Sequence, residues 1–76
     1  MTLKELLKES FGLKDNEYID EQSIFSLEQF DSMNHMVFIT KMEDEFKIEL
    51  TGDEIVDLIT ISDIKRLLQA KGVNKF

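Results

Sequence analysis

The segment Phe30-Asp31-Ser32-Met33-Asn34-His35-Met36 gathers the side chains best suited to chemistry. Asp31 is a good helix N-cap, its carboxylate able to accept from the free amides of a first turn. Ser32 then falls in that turn, where backbone amides are unpaired and the helix dipole concentrates partial positive charge. A phosphate ester on this hydroxyl would sit in a favourable field, at a loop–helix junction open to another enzyme. Taken alone, the Asp-Ser pair fits an ordinary helix start better than a modification site. Asp31, Ser32 and His35 also supply the residue types of a hydrolase triad. They lie within one turn of a single helix, without a glycine-rich elbow or an oxyanion hole, so no catalytic residue is assigned. Acidic clusters at Glu43-Asp44-Glu45 and Asp53-Glu54-Ile55-Val56-Asp57 lack the alternating ligands and glycine of a calcium loop and read as solvated helix surface. No metal site is expected.

Four helical segments would position these residues. Leu3, Leu6, Leu7 and Phe11 form one apolar stripe that Gly12 is placed to end. A second helix runs from Asp31 or Ser32 to about Phe46, with His35, Phe38, Ile39, Met42 and Phe46 on the core face. A short third helix spans Asp53 to Leu58, with Thr51 and Glu54 in the form of a capping box. The fourth starts near Ser62 with Thr60 as N-cap, buries Ile61, Ile64, Leu67 and Leu68, and stops at Gly72. The connection from Leu13 to Phe30 is about eighteen residues, long for a structureless loop. Its anchors Ile19, Ile24, Phe25, Leu27 and Phe30 predict that it packs against the helices. The fold class is therefore all-α: a small four-helix bundle of three longer helices and one short one, a single domain over 1–76.

Composition narrows the partners. The chain has 76 residues, 9 basic against 16 acidic, for a net charge of −7. So anionic a chain is repelled by nucleic acids and by anionic membrane surfaces, and suits partners with basic surfaces. No apolar run approaches the length of a membrane span, and no targeting segment is evident. A cytoplasmic monomer is the expectation. There is no cysteine, which excludes disulfides, thiolate metal sites and a cysteine nucleophile.

The motif does not stand alone. Asp31-Ser32-Met33, then Met42-Glu43-Asp44-Glu45-Phe46-Lys47-Ile48-Glu49-Leu50, then Asp53-Glu54 and the Thr60-Ile61-Ser62-Asp63 helix start resemble the acyl carrier protein family from Leu3 to Leu68. In that family an Asp-Ser-Leu motif opens the second helix and its serine carries 4′-phosphopantetheine. The resemblance implies that Ser32 is the attachment site, with Asp31 as the helix cap beside it. It also implies a phosphoprotein that is not itself an enzyme, holding an acyl group as a thioester on the prosthetic thiol. A phosphopantetheinyl transferase would install the group, and acyl-loading and acyl-transferring enzymes would dock on acidic surface. Aminoacyl or D-alanine cargo, and an unmodified acidic interaction module, remain open. The family often has a glycine shortly before the Asp-Ser pair, where this chain has Gln29 and Phe30. Asn34 and Val37 stand where fatty-acid carriers tend to be acidic, which favours a dedicated lipid or other biosynthetic pathway over bulk fatty acid synthesis. Met33, Asn34, Val37 and Lys41 are expected on the solvent face of the second helix. Met33 and Val37 are the candidate apolar partner contacts, and Asp44, Glu45, Glu54 and Asp57 the candidate acidic ones.

Overall fold

Local capping sets the element boundaries in the computed structural model, which describes all residues 1–76. Thr2 and Glu5 exchange side-chain and backbone bonds at 2.9 and 3.2 Å and open α1, Leu3–Phe11. Gly12 closes it in the left-handed conformation, φ 67°, its N–H donating to the Lys8 carbonyl. α2 is Ser32–Phe46, α3 is Gly52–Val56 and α4 is Ile61–Ala70. Thr51 with Glu54, and Thr60 with Asp63, form the capping boxes of α3 and α4. The third helix is shorter than the sequence suggests. Leu58 lies beyond its end, and its burial reflects the turn folding back onto the core. α4 starts one residue before Ser62 and ends at Ala70, just ahead of Gly72 at φ 87°.

Fourteen apolar side chains form one core, from all three longer helices, the long connection and the α3–α4 turn. Burying each such side chain contributes roughly 1.5–3 kcal/mol before chain entropy is set against it. The radius of gyration, 11.2 Å, is near the roughly 11.4 Å expected of a folded chain this long. On α2 the core face is Phe38, Ile39 and Met42, fully buried, with His35 and Phe46 half-buried at its ends.

The long connection is ordered by its own bonds. It contains two short 3-10 turns, Asp15–Glu17 and Ile24–Ser26. Ile24 donates to the Ile59 carbonyl and Ile61 to the Gln22 carbonyl, a single antiparallel bridge joining the connection to the start of α4. The ammonium groups of Lys4 and Lys65 lie over the Tyr18 ring, 5.8 and 5.1 Å from its centre. Those lysines pair in turn with Asp15 and Asp20. Of the apolar anchors, Ile24 and Leu27 are buried and Phe30 is half-buried. Ile19 and Phe25 are not core residues: they are 50% and 49% exposed. Ile24 and Leu27, the charged contacts around Tyr18 and the backbone bridge hold the segment, while Phe25 packs outside the core on Phe30 and His35.

Candidate functional site

Asp31 is the N-cap of α2, and its Oδ1 accepts from the Asn34 amide at 2.7 Å. The cap forms because Asp31 is extended, φ −153° and ψ 175°, which brings its carboxylate over the first turn. Ser32 is therefore the first helical residue, and its side chain is exposed. A second bond fixes the same turn from the other side. Asn34 Nδ2 donates to the Gln29 carbonyl at 2.7 Å, and Gln29 N donates to the Phe11 carbonyl at 3.1 Å. Through Gln29 the end of α1 holds the segment that leads into Ser32. Asn34 is consequently half-buried rather than on the solvent face, because its amide is turned back to the loop. Lys41 is half-buried as well and reaches Glu9 of α1 at 3.8 Å.

His35 does not approach Ser32 as a base would. Its ring packs at 5.4 Å from that of Phe30 and 6.3 Å from that of Phe25, and its Nε2 is buried without a hydrogen-bond partner. Burial alone pushes its pKa below the ordinary histidine value, since protonation would place an N–H among apolar rings. Phe25 and Phe30 meet edge to face at 4.9 Å, and Phe30 lies 5.4 Å from Phe11, itself 5.2 Å from Phe38. Aromatic pairs of this kind add about 0.5–1.5 kcal/mol each beyond their burial.

The outer face of α2 carries a second apolar stripe. Met33 is 76% exposed, Met36 55% and Val37 41%. With Thr40 and Lys41 they line an open depression of about 320 Å³. The spacing Met33, Met36, Val37, Thr40 is itself helical, so Met36 was legible as part of the patch. The acidic candidates are spread out. Asp44 and Asp57 are exposed and make no ion pair. Glu45 pairs with the Met1 amino group at 2.7 Å. Glu54 is engaged internally, accepting from Thr51 N and from Lys71 Nζ, and these bonds hold its pKa below the usual carboxylate value. Glu43, in a run that reads as solvated surface, accepts from Leu50 N at 2.9 Å and so braces the α2–α3 turn. Asp44 stands twelve residues after Ser32, about 18 Å along the helix axis. One helix thus carries an exposed hydroxyl at its start, an apolar flank beside it and carboxylates at its far end.

Residues 2–68 match the family described as a phosphopantetheine attachment site, whose members carry 4′-phosphopantetheine covalently. The acyl carrier protein of Beutenbergia cavernae is 30% identical to this chain over 61 residues, which cover 80% of this chain and 74% of that protein. A match over nearly the whole bundle, with the helices in the expected order, makes the chain a member of the acyl carrier protein family of phosphopantetheine-binding carriers.

Proposed function

We propose that the Ser32 hydroxyl is where this chain bears its 4′-phosphopantetheine, and that the protein carries an acyl group between the enzymes of a dedicated biosynthetic pathway. The observation behind this reading is the exposure of Ser32 as first residue of a capped 15-residue helix. The residues there fit the group. Nothing covers the hydroxyl, and the first-turn amides leave positive partial charge beside the position a phosphodiester would occupy. Asp31 and Asn34 keep that turn wound, so the backbone that bears the hydroxyl is fixed relative to the rest of α2. When bound, the group supplies a terminal thiol that holds the cargo as a thioester.

The chain's own residues present the site and select who reaches it. Met33 and Val37 form the apolar contact next to Ser32, and the structure extends that flank with Met36. Asp44 near the end of α2 and Asp57 just after α3 are the carboxylates best able to meet basic residues of a docking enzyme, with Glu45 next to Asp44 in the chain. Glu54 is the weakest of the four acidic candidates, because its carboxylate is already bonded to Thr51 and Lys71. A net charge of −7 would speed encounter with such enzymes in a salt-dependent way. On this reading the chain catalyses nothing itself.

Incubation with coenzyme A and a promiscuous phosphopantetheinyl transferase, followed by intact mass, tests the assignment. The wild-type chain gains one phosphopantetheine and Ser32→Ala gains none. A wild-type chain left unmodified, under conditions that load a control carrier, would instead make the protein an acidic interaction module. Loading of Ser32→Ala would move the attachment site elsewhere.

A further inference from the structure

Five rings run without a break from the centre of the bundle to its surface beside the attachment helix. Phe38 and Phe11 are fully buried; Phe30 leans on Phe11; Phe25 and His35 cover Phe30 from the loop and from α2. His35 is one turn from Ser32, so the outer end of this row lies beside the attachment position. The three depressions of the molecule are open surface features, one on the outer face of α2, one between the start of α1 and the end of α2, and one where the termini meet. None is lined by Ser32, Phe25 or Phe30. Admitting an alkyl chain would require Phe30 to leave contacts with three rings at once, and in a close-packed core such a displacement is opposed by every neighbour.

Resting on the carrier reading above, we infer that Phe25 and Phe30, with His35 against them, plug the interior beside Ser32, so that the cargo is a short or polar acyl group held outside the bundle. The two phenylalanines are then specificity-determining residues. They exclude long alkyl chains from shelter without touching the hydroxyl.

The test loads wild-type protein, Phe25→Ala and Phe30→Leu with acetyl or octanoyl phosphopantetheine from the corresponding coenzyme A thioesters, with intact mass confirming each product. Thioester cleavage by hydroxylamine is then timed, normalised to the free acyl-pantetheines. In the wild type the acetyl and octanoyl forms react at the same normalised rate. In the variants the octanoyl form reacts about tenfold more slowly, the retardation if the thioester is sheltered for roughly nine-tenths of the time. Octanoyl protection in the wild type would overturn the inference, as would variants that remain as unprotected as the wild type. Phe25 is half-exposed, so Phe25→Ala keeps the comparison usable where Phe30→Leu loosens the fold. Absence of any mass gain refutes the carrier reading instead. The plug is then read on the unmodified chain with free octanoic acid, through the methyl resonances of Leu7, Ile39 and Ile64. Unmoved resonances in the wild type and shifted ones in the variants support the plug, and shifted wild-type resonances overturn it.

Discussion

Replacing Asp31 separates two contributions that its carboxylate makes to the start of α2. Asp31 Oδ1 accepts from Asn34 N at 2.7 Å. Asp31→Ala removes that acceptor and leaves the amide to water, a loss of about 1 kcal/mol for an N-cap of this kind. For 76 residues the unfolding entropy near the midpoint is about 0.16 kcal/mol/K, so the melting temperature should fall by about 6 °C. Asp31→Asn keeps an acceptor oxygen in the same place and loses only the interaction of a charge with the helix dipole, about 0.3–1 kcal/mol at low salt. Its melting temperature should therefore fall by about 2–6 °C at low salt, and about 1 M salt should erase most of that loss by screening. Thermal unfolding followed by far-ultraviolet circular dichroism at low and high salt measures both. Amide exchange adds the location: protection should drop in the first turn of α2 and stay unchanged in α4. If Ala melts within a degree of the wild type, or Asn still falls as far as Ala in about 1 M salt, the cap does not hold the turn that presents Ser32.

Other substitutions examine the frame around the site. Gly12→Ala should destabilise by about 1–2 kcal/mol in urea unfolding, because a left-handed φ is strained for any residue with a Cβ. The added Cβ would also stand 2.9 Å from Gln29 Cδ, so Gln29→Ala in the same chain should recover part of the loss. The stability supplied by neutral, half-buried His35 should decline as pH falls from about 7 through its ordinary value of 6.5 toward the lowered folded one, because the unfolded chain takes the proton first. Urea midpoints over that range should flatten in His35→Leu. Asp63 has the opposite protonation chemistry and a lower window: bonds from Thr60 and Ile59 hold its pKa down. Its contribution is complete above about pH 4 and lost as pH falls through the depressed folded value, and Asp63→Asn should remove that acid-limb slope. Charge reversal at Asp44 or Asp57 should slow phosphopantetheine loading at low salt and converge on the wild type at high salt, whereas Met33→Ser should slow it at every salt concentration. Loading rates that ignore all three changes would refute the docking assignment.

The helices themselves were legible from local rules. Apolar spacing located α1, α2 and α4, and the capping residues Asp31, Thr51 and Thr60 marked the starts of α2, α3 and α4, because a helix depends on contacts within a few residues. The Asp-Ser junction and its exposure followed from the same local physics. Boundaries were less secure where tertiary contacts decide. α3 stops at Val56 because the chain must turn for Leu58 to reach the core. What the sequence could not reveal was which residues meet across the chain. Ile19 and Phe25 look as apolar as Ile24 and Leu27, yet only the latter pair is buried, because the bridge between Ser23 and Thr60 sets which side of the connection faces inward. Asn34 falls on the solvent face of a helical wheel, but its amide is drawn to Gln29. Glu43 and Glu54 belong to the same acidic surface as Asp44 and Asp57 until their bonds to Leu50, Thr51 and Lys71 separate bracing carboxylates from free ones. Spacing along one helix is a property of the chain alone, whereas the pairing of Phe25, Phe30 and His35 beside Ser32 exists only once the loop has been folded onto α2.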